Sequence, residues 1–151
     1  MLVAVVGFAP FRFQIEALPD TVGCNRSIFV IISLFEFVDM IPLYLLEGKA
    51  EGVRGDIAFA QSCLETGNFG FSGSAVTLDQ NNFCGMGVTS NGMKGNPFDT
   101  PQLGIRAQVQ HLKAYASTVD LKSECVDPRF KYVTRGCAEY VEWLGQKENP
   151  D

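Results

Sequence analysis

GVRGDIAFAQSCLETG, residues Gly52 to Gly67, carries most of the fold information in this chain. Val53, Ile57, Ala60 and Leu64 recur at i, i+4, i+7 and i+11, which predicts one buried stripe on a helix from about Val53 to Glu65. Thr66-Gly67 predicts the stop, glycine being suited to the left-handed position that follows a helix C-terminus. Glu65 sits in the last turn with Leu64 beside it and Phe69 and Phe71 close behind. Partial burial against these groups and the negative end of the helix dipole both favour a neutral carboxyl. A carboxylic acid held protonated near neutral pH is what a general acid needs, the alternative reading of so short a string being a solvated helix-end residue.

Upstream of this helix, Ser33-Leu34-Phe35-Glu36 reads as a capping box opening an apolar helix that runs to about Gly48, with Pro42 expected to kink it. Residues 1–30 are broken by Pro10, Pro19 and Gly23 and are assigned no structure. Downstream, Asn68 to Asp99 holds glycines 70, 73, 85, 87, 92 and 95 among Phe69, Phe71, Phe83 and Phe98. Each glycine costs about 1 kcal/mol inside a helix, so this region predicts short strands and turns in a small β lobe. Thr100-Pro101 restarts helix as N-cap and first helical residue, and Ile105, Val109, Leu112 and Ala116 form its core stripe. A last amphipathic segment places Cys137, Val141 and Leu144 on one face, with Gly145 as its stop.

Composition narrows the function classes. The 151 residues carry a net charge of −5 with 12 Lys and Arg against 17 Asp and Glu, which predicts one domain and argues against nucleic acid as a partner. With 46% hydrophobic and 19% charged residues the chain is globular rather than disordered. The apolar tract Ser27 to Leu46 has the length of a membrane span, but Glu36 and Asp39 inside it would each cost about 2.5–3.5 kcal/mol, so stable membrane insertion is not expected. Met1 to Pro10 resembles the apolar part of a signal peptide without a basic flank or a clean cleavage site. The five cysteines lack C-x-x-C spacing, which argues against a zinc ribbon. They read either as structural thiols or as two bridges, Cys63 to Cys84 and Cys125 to Cys137. The single histidine, His111, reads as a helix-surface or satisfied core residue, and Trp143 as a core or rim aromatic. Tyr115 and Tyr132 could line a cleft, but nothing in their spacing selects them.

Three segments in order resemble one family. Gly52 to Gly67 is followed by Asp79-Gln80-Asn81-Asn82-Phe83-Cys84-Gly85-Met86-Gly87 and then by Gly104-Ile105-Arg106-Ala107-Gln108-Val109-Gln110-His111-Leu112-Lys113-Ala114-Tyr115-Ala116. From about Phe35 to Asp151 the chain resembles the glucosaminidase domain of bacterial cell-wall autolysins, glycoside hydrolase family 73. The resemblance implies an α+β, mostly α architecture, with a lysozyme-like helical lobe facing a small glycine-rich β lobe across a cleft. It implies an endo-β-N-acetylglucosaminidase that cleaves the β-1,4 bond from N-acetylglucosamine to N-acetylmuramic acid in peptidoglycan. Muramidase or lytic transglycosylase chemistry on the same scaffold is the enzymatic alternative.

The family's E-[ST]-G acid matches Glu65, and its N-N-x-F-G-[IL] segment matches Asn81 to Met86 with the Phe and the small residue exchanged. By this resemblance Gln80, Asn81, Asn82, Phe83 and Gly85 are the substrate-binding candidates. Asp79 is the candidate second catalytic group, read from its position just before that run; assistance by the substrate's own acetamido group is the alternative. No metal or organic cofactor is implied. The expected partner is the peptidoglycan glycan strand, the expected state a monomer, and the expected location extracellular or cell wall. Residues 31–151 are expected to form the glucosaminidase domain. The family's Gly-Trp-Ala and Tyr-Gly continuation after Glu148-Asn149-Pro150 is missing, so the domain is expected to be truncated at its C-terminus. A catalytically impaired, glycan-binding fragment is the corresponding alternative function.

Overall fold

Proline fixes where the helix at residues 41–51 begins. In the computed structural model, which describes residues 37–144, α1 spans Ile41–Glu51 with Pro42 in its first turn. Phe37 and Val38 are also helical and Asp39 and Met40 form a turn, so the expected helix is interrupted just before Pro42, which opens α1 where its missing N–H costs nothing. The capping box at Ser33 to Glu36, the segment 1–30, Cys24, Gly145 and Glu148 to Pro150 lie outside the described residues. The helix ends at Gly52 in the left-handed conformation, φ +79°, slightly beyond the expected Gly48.

Helix α2 spans Gly55–Glu65 and α3 spans Pro101–Ala116. Three short 3-10 turns occur at Leu78–Gln80, Phe130–Tyr132 and Val141–Trp143, Phe37 and Val38 are also helical, and the described residues contain no strand. The described architecture is mostly helical, and the glycine-rich region expected as a β lobe is loop around one 3-10 turn. Its loops are tied by side-chain amides where strands would use a backbone ladder, Asn82 being the main knot.

Two glycines let α1 and α2 touch. A Cβ on Gly55 would stand 2.3 Å from the Tyr44 carbonyl oxygen, and one on Gly48 would stand 2.7 Å from the Gly55 nitrogen. This close crossing turns α2 away from the expected stripe. Leu64 is 57% exposed and Ala60 is exposed, while Gly55, Ala58 and Ser62 form the buried face and Thr66 continues it past the helix end. Small residues win these positions because the contact is backbone-to-backbone, and the Ser62 hydroxyl is not left unpaired. It accepts from the Tyr44 hydroxyl at 2.8 Å and has acceptors in Gln108 Oε1 at 2.9 Å and the Ala58 carbonyl at 3.1 Å.

The third helix follows its expected start and stripe. Thr100 Oγ1 accepts from Leu103 N, Pro101 is the first helical residue, and Ile105, Val109 and Leu112 are buried, with Ala116 half-buried. It packs on both other helices and buries polar side chains as well as apolar ones. Phe37, Tyr44, Phe69 and Phe83 belong to the core beside it, Phe37 and Phe69 being stacked with ring centroids 4.3 Å apart. The terminal segment differs from expectation. Val141–Trp143 is a single 3-10 turn, Val141 is 37% exposed, and Leu144 packs against the core. Trp143 is held edge-on by Tyr140 at 4.8 Å, as a rim aromatic. The four described cysteines, 63, 84, 125 and 137, are free, so neither expected bridge is present; Cys84 alone is buried.

Candidate active site

Glu65 is the last residue of α2, and the turn after it is fixed by its neighbour. Thr66 is buried, its hydroxyl donates to the Ser62 carbonyl at 2.7 Å, and it accepts from Phe69 N at 2.7 Å. Gly67 follows at φ +61°, as expected, but Asn68, Phe69 and Phe71 also hold positive φ, at +57°, +60° and +50°. For phenylalanine that conformation costs of order 1–3 kcal/mol, and the aromatic core around Phe69 holds it in place. The chain thus leaves the helix sharply and sets Glu65 on a cleft.

The cleft encloses about 470 Å³, within the ~300–1,000 Å³ typical of small-ligand sites. Glu65, Ser74, Ala75, Cys84, Gly85 and the loop Val88 to Gly92 line it. Burial raises the Glu65 carboxyl above its ordinary value. Burial also pushes the Cys84 thiol up to about 12, with the nearby Glu65 charge adding to the effect. Glu65 is therefore biased toward its protonated form, and its thiol neighbour stays neutral.

The five substrate-binding candidates separate in space. Gln80 Nε2 donates to the Gly95 carbonyl at 3.0 Å while its Oε1 accepts from Thr77 N at 2.9 Å, completing a capping box. Asn81 Nδ2 donates to the Phe98 carbonyl at 2.8 Å. Asn82 is fully buried, with Nδ2 donating to the Met86 and Asn96 carbonyls and Oδ1 accepting from Met86 N at 2.9 Å. Phe83 lies in the core, 6.0 Å from Phe69. Gly85 is on the cleft lining. Asp79 is exposed in the 3-10 turn and is not among the described lining residues.

The Asn81 carbonyl presses on α3. A Cβ at Gly104 would stand 1.8 Å from that oxygen, so the loop seats only on glycine. Gly104→Ala is expected to lower stability by about 1–3 kcal/mol through forced backbone movement. Urea melts of the two chains would check it; superimposable curves would show that the loop moves away without cost.

Two buried carboxylates on α1 escaped the sequence reading. Glu47 receives Arg106 Nε at 2.8 Å and Gln102 Nε2 at 2.7 Å, and Glu51 receives Lys113 Nζ at 2.9 Å. They are four residues apart in an apolar helix, and that spacing on one face is the signal that could have found them. They clamp α1 to α3 and lie outside the described cleft lining. The cleft wall formed by Ser74 and Val88 to Gly92 had no local signal. His111 is a satisfied buried histidine, its Nδ1 2.7 Å from Asp127 Oδ2. Among the described residues no three His, Cys, Asp or Glu side chains are grouped as a metal site.

A sequence model of the glucosaminidase family, described as mannosyl-glycoprotein endo-beta-N-acetylglucosaminidase, matches residues 41–148. A protein of Borreliella burgdorferi named "Uncharacterized protein" is 52% identical over 98 residues, covering 65% of this chain and 48% of the relative. The chain thus spans about half the length of that curated relative. No solved structure matches it.

Proposed function

We propose a function from one premise: this chain belongs to the glucosaminidase family, which is matched over residues 41–148. The chain is a peptidoglycan hydrolase, an endo-β-N-acetylglucosaminidase cleaving the β-1,4 bond that follows N-acetylglucosamine. The observation that carries this reading is Glu65, a carboxyl biased toward its neutral form by burial and standing on the cleft at a sharp helix end. Its proton passes to the glycosidic oxygen as the bond to the anomeric carbon breaks, and water completes the hydrolysis at that carbon.

Two courses serve the opposite side of the ring. Asp79 acts as base or nucleophile in one, and the substrate's acetamido oxygen attacks the anomeric carbon in the other. The exposed position of Asp79, outside the described cleft lining, favours the second. Among the candidates from the motif run, Gly85 contacts the glycan, while Gln80, Asn81, Asn82 and Phe83 act by shaping the loops that carry the cleft. We place the protein at the cell wall, where its substrate lies, acting as a monomer through a domain spanning residues 31–151. Among the described residues no helix is long and apolar enough to cross a membrane.

Digestion of purified peptidoglycan, followed by borohydride reduction and mass spectrometry, tests the bond assignment. Reduced N-acetylglucosamine ends are expected. Reduced N-acetylmuramic acid ends would make the protein a muramidase, and anhydromuramic ends a lytic transglycosylase. Retained binding with no released fragment would make it a glycan-binding protein.

A further inference from the structure

A side chain can recognise a sugar only with hydrogen-bonding capacity that the fold has not already used. Gln80 and Asn82 have committed both ends of their amides to Gly95, Met86 and Asn96 carbonyls and to backbone N–H groups of their own loops, and Asn81, which is not among the cleft-lining residues, has its Nδ2 on the Phe98 carbonyl. Across the same loop system, Asn91 is exposed and lines the cleft with Glu65, and its amide makes no hydrogen bond to any described residue. The turn presenting it is closed by local contacts. Met93 N donates to the Ser90 carbonyl at 3.2 Å, Thr89 Oγ1 approaches Met93 Sδ at 3.0 Å, and Gly92 takes φ +84°. At its base Val88 N donates to the carbonyl of Gly85, another lining residue.

We infer that Asn91 is the specificity-determining residue of the cleft and recognises the acetamido group of the bound sugar. A primary amide offers two donors and a carbonyl acceptor, and an acetamido group offers one N–H and one carbonyl. The pair can therefore exchange two hydrogen bonds, which a free amino group, having no carbonyl, cannot reproduce. The flanking lining groups suit a neutral, hydroxyl-rich ring: Ser74, Thr89 and Ser90 carry hydroxyls, and Gly85 leaves room. This inference rests on the reading of the Glu65 cleft as a glycan site.

The test measures Kd for soluble peptidoglycan strands, N-acetylated and chemically de-N-acetylated, with Glu65→Gln present in every chain so that no bond is cut. The Asn91-containing chain is expected to bind acetylated strands about tenfold more tightly, the worth of one to two net hydrogen bonds. Adding Asn91→Ala should shrink that preference to about twofold or less, with an unchanged Tm because the residue is exposed. A preference that survives Asn91→Ala, or one absent from the Asn91-containing chain, would overturn the inference while leaving the proposed function standing. Absence of binding, together with no fragment release by the Glu65 chain, would overturn both.

Discussion

Glu65→Gln is expected to cut peptidoglycan cleavage by about 10²- to 10⁴-fold, the usual worth of a positioned general acid. Glutamine keeps the shape and polarity of the side chain but has no proton to give to the departing oxygen. Stability should not suffer. Because burial raises the Glu65 pKa above its unfolded value, the unfolded state loses its proton first as pH rises. Ionisation of this group therefore lowers folded stability as pH rises from the ordinary carboxyl range through the raised value. Above that window glutamine removes the penalty, so the variant's urea midpoint should equal or exceed that of the unmutated chain. Activity should carry the matching sign: kcat/KM of the unmutated chain falls as pH rises through the raised Glu65 value. Near-full turnover by the variant would take the acid role away from Glu65.

The parts of this arrangement that sequence could reveal are those set within a few residues. Thr100-Pro101 starts α3 because cap and first-turn geometry is local, and Glu65-Thr66-Gly67 ends α2 for the same reason. The buried face of α2 was not legible from its apolar residues. That face is set by the crossing with α1, where Gly55 meets the Tyr44 carbonyl and Ser62 finds hydroxyl and amide partners on two other helices. The glycine-rich region misled in a related way. Glycine spacing announces turns, but it does not tell whether the backbone between them pairs in a ladder or is tied largely by side-chain amides, as it is by Gln80, Asn81 and Asn82. For the site, the acid could be located from its motif, whereas the facing wall from Val88 to Gly92 is brought to Glu65 only by the path of that loop.

The other large effect is expected at the clamp between α1 and α3. Glu51 is buried and accepts from Lys113 Nζ at 2.9 Å, Lys122 N at 2.9 Å, Ser123 N at 3.0 Å and the Ser123 hydroxyl. Burial alone would raise its pKa, but these donors together outweigh it and bring the carboxyl down to about 2. A folded-state value below the unfolded one means stability that is fully present above the ordinary carboxyl range and lost as pH falls through about 2. Glu51→Gln turns one acceptor oxygen into a donor beside the buried Lys113 ammonium, which is left without its counter-charge. Removing one partner of such a pair costs about 3–5 kcal/mol, so the variant should melt at much lower urea near pH 7. The deficit should narrow as pH falls from the ordinary carboxyl range toward 2, because the unmutated chain then loses what the variant never had. Glu47, also held below its ordinary value against the opposing effect of burial, chiefly by Arg106, titrates in both chains, but the Glu51 charge raises it, so the difference between the chains reports Glu51 together with that coupling. Adding Lys113→Met to Glu51→Gln should recover part of the loss by removing the stranded charge. A single variant within about 1 kcal/mol of the unmutated chain, with a parallel pH profile, would show that the clamp contributes little beyond geometry.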